Sequence, residues 1–137
     1  MDLQIFSRSG FVVPSNNFAI TIADDTLYCS NPGFHRVERY TLDGQPIDQF
    51  GTPGSGEGSF SGCCNPCGIA VTERGDVFTS EKGIARITAF SREGEYMGTL
   101  LSYQQLGNDS ETPLIESDGN VLAVAHKNSV RIFGFDL

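Results

Sequence analysis

The chain contains no tryptophan, only two methionines and two histidines, and few basic residues, with nine Lys and Arg against seventeen Asp and Glu for a formal net charge of −8. Such a surplus repels a phosphate backbone unless a local basic patch overrides it, so nucleic acid is disfavoured as a partner. Long apolar runs are missing too. None approaches the roughly 18 residues of a membrane span, and the opening MDLQIFSRSG lacks the basic-then-hydrophobic order of a signal peptide. The sequence reads as soluble, with no membrane span and no visible signal peptide, and it leaves the compartment open. No Ser, His and Asp set recurs as a triad, and two histidines cannot by themselves supply a three-ligand catalytic metal site.

What the chain does have is glycine, sixteen in 137 residues, and about a quarter Leu, Ile, Val and Phe, enough for one folded domain of short elements joined by turns. It also repeats. FAITIADDTLYCSNPGFHRVERYTLDGQPI (from Phe18) aligns with CGIAVTERGDVFTSEKGIARITAFSREGEYM (from Cys67), so that Tyr28, Arg36, Tyr40 and Gly44 fall 50 residues before Phe78, Arg86, Phe90 and Gly94. A third copy, LIESDGNVLAVAHKNSVRIFGFDL (from Leu114), aligns with a middle loop one residue shorter, setting Leu122 against Phe78, Val130 against Ile87 and Phe133 against Phe90. The repeats run over about 14–60, 61–107 and 108–137.

Each copy has strand character: runs of four to six β-branched or aromatic residues, split in the second copy by Arg74-Gly75-Asp76, Glu81-Lys82-Gly83 and Arg92-Glu93-Gly94. Gly75, Gly94 and Gly119 are expected in inter-strand turns, where glycine supplies a positive φ. The strands expected in the second copy are GIAV, DVFTS, RITAF and EYMGT, while SYQQL near Ser102 is at most one helical turn. The fold class is all-β. A period of 40 to 50 residues with four strands per period is the signature of a β-propeller blade.

The sequence resembles the NHL-repeat family of β-propellers. GTPGSGEGSF (Gly51 to Phe60), Asn65-Pro66, GIAV, a Gly-Asp turn, VFTSE and Arg86-Ile87 carry the resemblance, and His35-Arg36-Val37 is similar to that family's His-Arg-Ile element. Cys63-Cys64-Asn65-Pro66 together with Glu81-Lys82-Gly83 resembles a bacterial branch. The resemblance implies a propeller segment of about three blades. It also admits an enzyme, because related six-bladed propellers include lyases and lactonases with a metal in the central channel.

Three blades cannot close a ring, since closed propellers have four to eight. Residues 1–10, with Leu3 to Phe6 as a strand, would complete the terminal blade by pairing near Val130 to Phe133, or would belong to a neighbouring blade of a longer propeller. Exposed strand edges need covering. The expected partners are a second copy, giving a homodimeric six-bladed ring, or other propeller blades, together with a protein partner on a loop face.

Four cysteines remain. Cys64-Asn-Pro-Cys67 has the spacing of a shared zinc or a redox disulfide, with Cys63, Cys29, His35 and His126 as further candidates. The favoured reading is that Cys29 is a small strand residue and Cys63, Cys64 and Cys67 pack where an inner strand begins, with no cofactor and no metal. GTPGSGEGSFSG lacks the lysine of a phosphate-binding loop and reads as a blade crossover. Asp24-Asp25 and Asp118-Gly119-Asn120 read as turns, and Asn108-Asp-Ser110 is a formal glycosylation sequon. Polar residues recur at one repeat position: Asn31 with His35-Arg36, Glu81-Lys82 with Arg86, and His126-Lys127 with Arg131. As a set, Asn31, His35, Arg36, Glu81, Lys82, Arg86, His126 and Lys127 mark a candidate binding face. The function expected from these features is a noncatalytic binding or scaffold module, with the alternatives of a propeller enzyme or a cysteine-based metal or redox protein.

Overall fold

The computed structural model describes residues 18–62, 64–107 and 111–135. Three antiparallel sheets follow one another along the chain. The first contains β1 (Ile20–Ala23), β2 (Thr26–Asn31), β3 (Arg36–Thr41) and β4 (Pro46–Phe50), with a short 3-10 turn at Pro32–Phe34. The second contains β5 (Gly68–Val71), β6 (Val77–Glu81), β7 (Arg86–Phe90) and β8 (Tyr96–Leu101). After a single helical turn, α1 (Tyr103–Leu106), the third sheet holds β9 (Leu114–Ser117), β10 (Val121–His126) and β11 (Ser129–Gly134). Each sheet is an up-and-down meander, and the innermost strands β1, β5 and β9 lie side by side, the arrangement of propeller blades. Gly75, Gly94 and Gly119 sit in turns at φ +91°, +87° and +104°. The proposed strand from Leu3 to Phe6, Cys63 and the sequon at Asn108 to Ser110 lie outside the described residues.

The core forms in two seams between the sheets. Phe90 centres the first, buried with Tyr28, Val37, Ile69, Val71 and Val77, its ring 5.2 Å from that of Phe50 and 5.7 Å from that of Phe60. Phe60 is delivered by the blade crossover, which turns at Gly51. With φ at +108°, a Cβ at Gly51 would lie 2.6 Å from the Phe60 ring and 2.9 Å from the His35 carbonyl. The second seam buries Ala70, Phe78, Ile87 and Leu101 against Leu122 and Val124, with Phe78 stacked on Phe135 at 5.4 Å.

Each sheet thus has a forward face toward the next blade and a rear face toward the previous one. Tyr28 and Val37 face forward in the first sheet, as do Phe78 and Ile87 in the second. The 50-residue offset holds for these strands. One register needs correction. In β1 the alignment from Phe18 to Cys67 holds: Ile20 pairs with Cys29 as Ile69 pairs with Thr79, so the offset there is 49 and Ile20 and Ile22 correspond to Ile69 and Val71. In the third sheet Leu122 pairs with Phe133 as Val77 pairs with Phe90, so Leu122 corresponds to Val77 rather than Phe78. The physical reason is turn length: the β10–β11 turn is two residues shorter than the β6–β7 turn, and a one-residue shift in a strand exchanges its faces.

Candidate functional site

The recurring polar residues gather at one end of the disk, where β2 turns into β3, β6 into β7 and β10 into β11. They are organised around buried carboxylates. In the first blade Glu38 accepts from Asn31 Nδ2 at 2.6 Å and Arg36 Nε at 2.8 Å, and from the Tyr40 hydroxyl. In the second, Glu81 accepts from Arg86 Nε at 2.6 Å and Thr88 Oγ1 at 2.9 Å, while Arg86 also reaches the Ser59 carbonyl of the crossover. Asn31 is the counterpart of Glu81, and Glu38 of Thr88. The carboxylate has therefore moved across the strand pair, and the equivalent arginine follows it in both blades. Burial works to raise the Glu38 pKa, but the donors Tyr40, Arg36 and Asn31 hold it below the ordinary value. For Glu81 burial prevails over Arg86 and Thr88 and pushes the pKa up.

The other members of the set are placed differently. His35 sits in the left-handed region at φ +55° beside the 3-10 turn, and Lys82 and Lys127 lie on the corner turns. His126, the counterpart of Glu81, is buried with its Nε2 3.2 Å from the Glu111 carbonyl. Asn31, Glu81 and His126 are thus internal to their blades, and the surface of this end is made by the turns. Two surface residues there escaped the sequence reading. Phe34 and Ile84, 49% and 59% exposed, stand 50 residues apart, each after a glycine. The signal was an apolar residue at one loop position of both copies. Arg36 lies over the Phe34 ring at 5.0 Å.

The two motifs behind the family resemblance form one unit. Asn65 donates through Nδ2 to the Ser61 and Lys82 carbonyls and accepts through Oδ1 from the Lys82 backbone N–H at 2.9 Å, pinning the Cys-Asn-Pro segment to the Glu-Lys-Gly corner. The Asn65–Pro66 peptide is cis. Cys67 Sγ donates to the Cys64 carbonyl at 3.0 Å and to Asn65 Oδ1 at 3.3 Å. Cys64 is disulfide-bonded, whereas Cys29 and Cys67 are free and buried. Cys64 and Cys67 are therefore not bridged to each other in this structure. Among the described residues no group of three or more His, Cys, Asp or Glu is placed to hold a metal. Burial pushes the Cys29 thiol up to about 11 and raises that of Cys67.

The opposite end carries the short inter-strand turns and most of the described charge. Asp24, Asp25 and Asp43 lie on turns of the first sheet, Glu73, Asp76, Glu93 and Glu95 on those of the second and Asp118 on the third, against Arg74 and Arg92. Arg39 joins the first two blades there: it binds Asp48 through two nitrogens at 2.6 and 2.7 Å and donates to the Arg92 carbonyl.

Clefts open among the described residues both between the inner strands and at the acidic end. One of about 430 Å³ lies between the inner strands beside Cys67, Gly68, Ser80, Thr112 and Glu116. Two of about 440 and 480 Å³ lie at the acidic end. His35, Glu81 and His126 line none of them.

No protein-family model matches the chain, and no curated protein matches it in sequence. Its fold is similar to part of hydrazine synthase from Kuenenia stuttgartiensis, with a TM-score of 0.60 at 15% identity, covering 91% of this chain and 36% of that one. It is similar also to virginiamycin B lyase from Staphylococcus aureus, with a TM-score of 0.50 at 14% identity, covering 93% of this chain and 45% of that one. The chain spans less than half the length of either protein, and at these identities the likeness establishes a β-propeller-like fold.

Proposed function

We propose that the chain is a noncatalytic propeller segment of the NHL-repeat type that binds a protein partner through the corner end of its blades. The observation that carries this reading is the pair of exposed apolar tips, Phe34 and Ile84, at equivalent corners of adjacent blades. Loop residues held at fixed spacing by a rigid sheet are suited to anchoring a partner. Two further features support it. The corner carboxylates Glu38 and Glu81 are taken up by their own blades' donors, which leaves them to structure rather than to acid or base work. A channel enzyme of the lyase or lactonase kind needs carboxylates or histidines from at least three blades free to act in a common cavity, whereas Glu81 is bound by Arg86 and Thr88 and His126 is buried with its Nε2 against the Glu111 carbonyl.

The test is site-specific photocrosslinking in the producing cell, with the crosslinker at Phe34 and, as control, at Leu42, which is 50% exposed on a turn at the opposite end. The expected outcome is a discrete protein adduct from position 34, absent from position 42 and lost when Ile84 is changed to Ser. No adduct from position 34, or one indifferent to Ile84→Ser, overturns the reading.

A further inference from the structure

We infer that the first blade's corner holds the protein partner by an uncharged stretch of main chain, with the terminal guanidinium nitrogens of Arg36 donating to a carbonyl beside an apolar side chain packed on Phe34. The inference deepens the corner-end reading and rests on it.

Arg36 and Arg86 hold equivalent places in their blades, and each uses Nε on its own blade's carboxylate, at 2.8 Å from Glu38 and 2.6 Å from Glu81. They part at the terminal nitrogens. Arg86 Nη2 donates to the carbonyl of Ser59, the residue before Phe60, which is buried in the first seam. Nη1 and Nη2 of Arg36 have no acceptor among the described residues; its guanidinium lies over the Phe34 ring instead, at 5.0 Å. The Arg36 side chain keeps 29% of its surface in water, against 17% for Arg86. Arginine presents five N–H donors in a planar fork, and the bond to Glu38 uses one of them. This corner therefore offers a donor fork directly over a half-exposed aromatic ring, a donor site and an apolar site in contact. The neighbouring His35 adds a buried Nδ1 without a partner.

Two observations favour a carbonyl over a carboxylate as the missing acceptor. Glu38 already supplies the counter-charge of Arg36, as Glu81 does for Arg86, and the fork of that second pair is completed by a neutral carbonyl. The chain's net charge of −8 also opposes the approach of an acidic segment. The crossover thus provides the template for the partner: a carbonyl for the arginine, followed by an aromatic side chain that leaves water.

The probe is the crossover sequence Gly58-Ser59-Phe60-Ser61-Gly62 as an acetylated and amidated peptide, titrated into the full chain labelled with nitrogen-15. The expected outcome is a saturable shift of the Arg36 Nε–H and the Phe34 amide at millimolar peptide. Arg36→Lys, which keeps the charge and loses the fork, weakens binding on the order of tenfold, the worth of a hydrogen bond to a charged group. Phe34→Ser weakens it too, and the far-ultraviolet circular dichroism of both variants is unchanged. In the chain alone, rotation about the Cζ–Nε bond is fast for Arg36 and slowed for Arg86 by its bond to Ser59. Four results overturn the inference: no shift at Arg36, binding indifferent to Arg36→Lys, tighter binding of a peptide carrying Glu in place of Phe60, or an Arg36 fork as immobile as that of Arg86 in the chain alone, which would mean that the chain itself supplies the acceptor. Crosslinking from position 34 separates the two readings: an adduct there alongside any of these four results leaves the corner end as the binding surface and removes only the role of Arg36.

Discussion

Changing Glu81 to Asn and Thr88 to Glu moves the second blade's buried carboxylate to where the first blade carries it, on Glu38 beside Asn31. If the two corners are one device in two settings, the exchange is tolerated while each half of it is not. Glu81→Asn leaves Arg86 with the Ser59 carbonyl and no carboxylate. Breaking a buried pair this way costs about 3–5 kcal/mol, reduced to about 2–3 kcal/mol because the Arg86 side chain keeps 17% of its surface in water. Thr88→Glu alone sets a second carboxylate beside Glu81 with one arginine between them at a buried site, and costs about 2–3 kcal/mol from like-charge repulsion and overpacking. The double variant regains the carboxylate–arginine bond. It lacks only the donor that Tyr40 gives Glu38, because the counterpart of Tyr40 is Phe90, and one net hydrogen bond is worth about 1 kcal/mol. The expected coupling is on the order of 3 kcal/mol. Urea unfolding at neutral pH, followed by far-ultraviolet circular dichroism and accepted only where the slope is unchanged, measures all four corners of the cycle. A double variant as unstable as the sum of the singles would refute the equivalence.

Acid should act on the two corners with opposite sign. Glu38 has its pKa lowered on folding, so its contribution is present above 4.5 and is lost as the pH falls through its folded value; the stability gap between wild type and Glu38→Gln narrows there. Glu81 has its pKa raised, so protonation favours the folded chain, and the gap between wild type and Glu81→Gln moves in favour of wild type as the pH falls from the folded value toward 4.5, both read from urea midpoints across a pH series. A Cβ on Gly68 would lie 2.3 Å from the Ser80 hydroxyl oxygen, which is buried without a partner. Gly68→Ala therefore costs about 1–3 kcal/mol, Ser80→Ala is neutral or stabilising, and the second rescues the first in thermal melts. Cys29, with its thiol pushed up to about 11 and buried, reacts with iodoacetamide at mildly alkaline pH only after unfolding, which peptide mapping of the alkylated chain checks.

The architecture was legible because it is written in features that survive one residue of error. Glycines at turns, β-branched runs between them and a period repeated three times locate the blades wherever the register falls. Face assignments were less legible. At β10 the turn length differs between copies, and nothing in composition reveals a turn shortened by two residues, yet that change decides whether Leu122 faces the second sheet or away from it. The corner site was half legible. Arg36 and Arg86 recur in plain sight, but Asn31 against Glu81 and Glu38 against Thr88 look like two unrelated mismatches until the strand pairing shows one carboxylate that changed strands. The link between Asn65 and Lys82 was invisible for a similar reason, since it joins two segments seventeen residues apart through side-chain-to-backbone bonds.

The concentration of acidic residues on the short turns gives the molecule a direction in an electric field. The described part of the chain is a dipole, with its negative pole on the end carrying Asp24, Glu73 and Asp118 and with Arg36, Lys82, Arg86 and Lys127 toward the other. Within a Debye length of about 10 Å at 0.1 M salt, a cationic surface attracts the first end more strongly than the second. An anion-exchange matrix or an aminated sensor chip therefore holds the protein end-on, with Phe34 and Ile84 turned toward the solution.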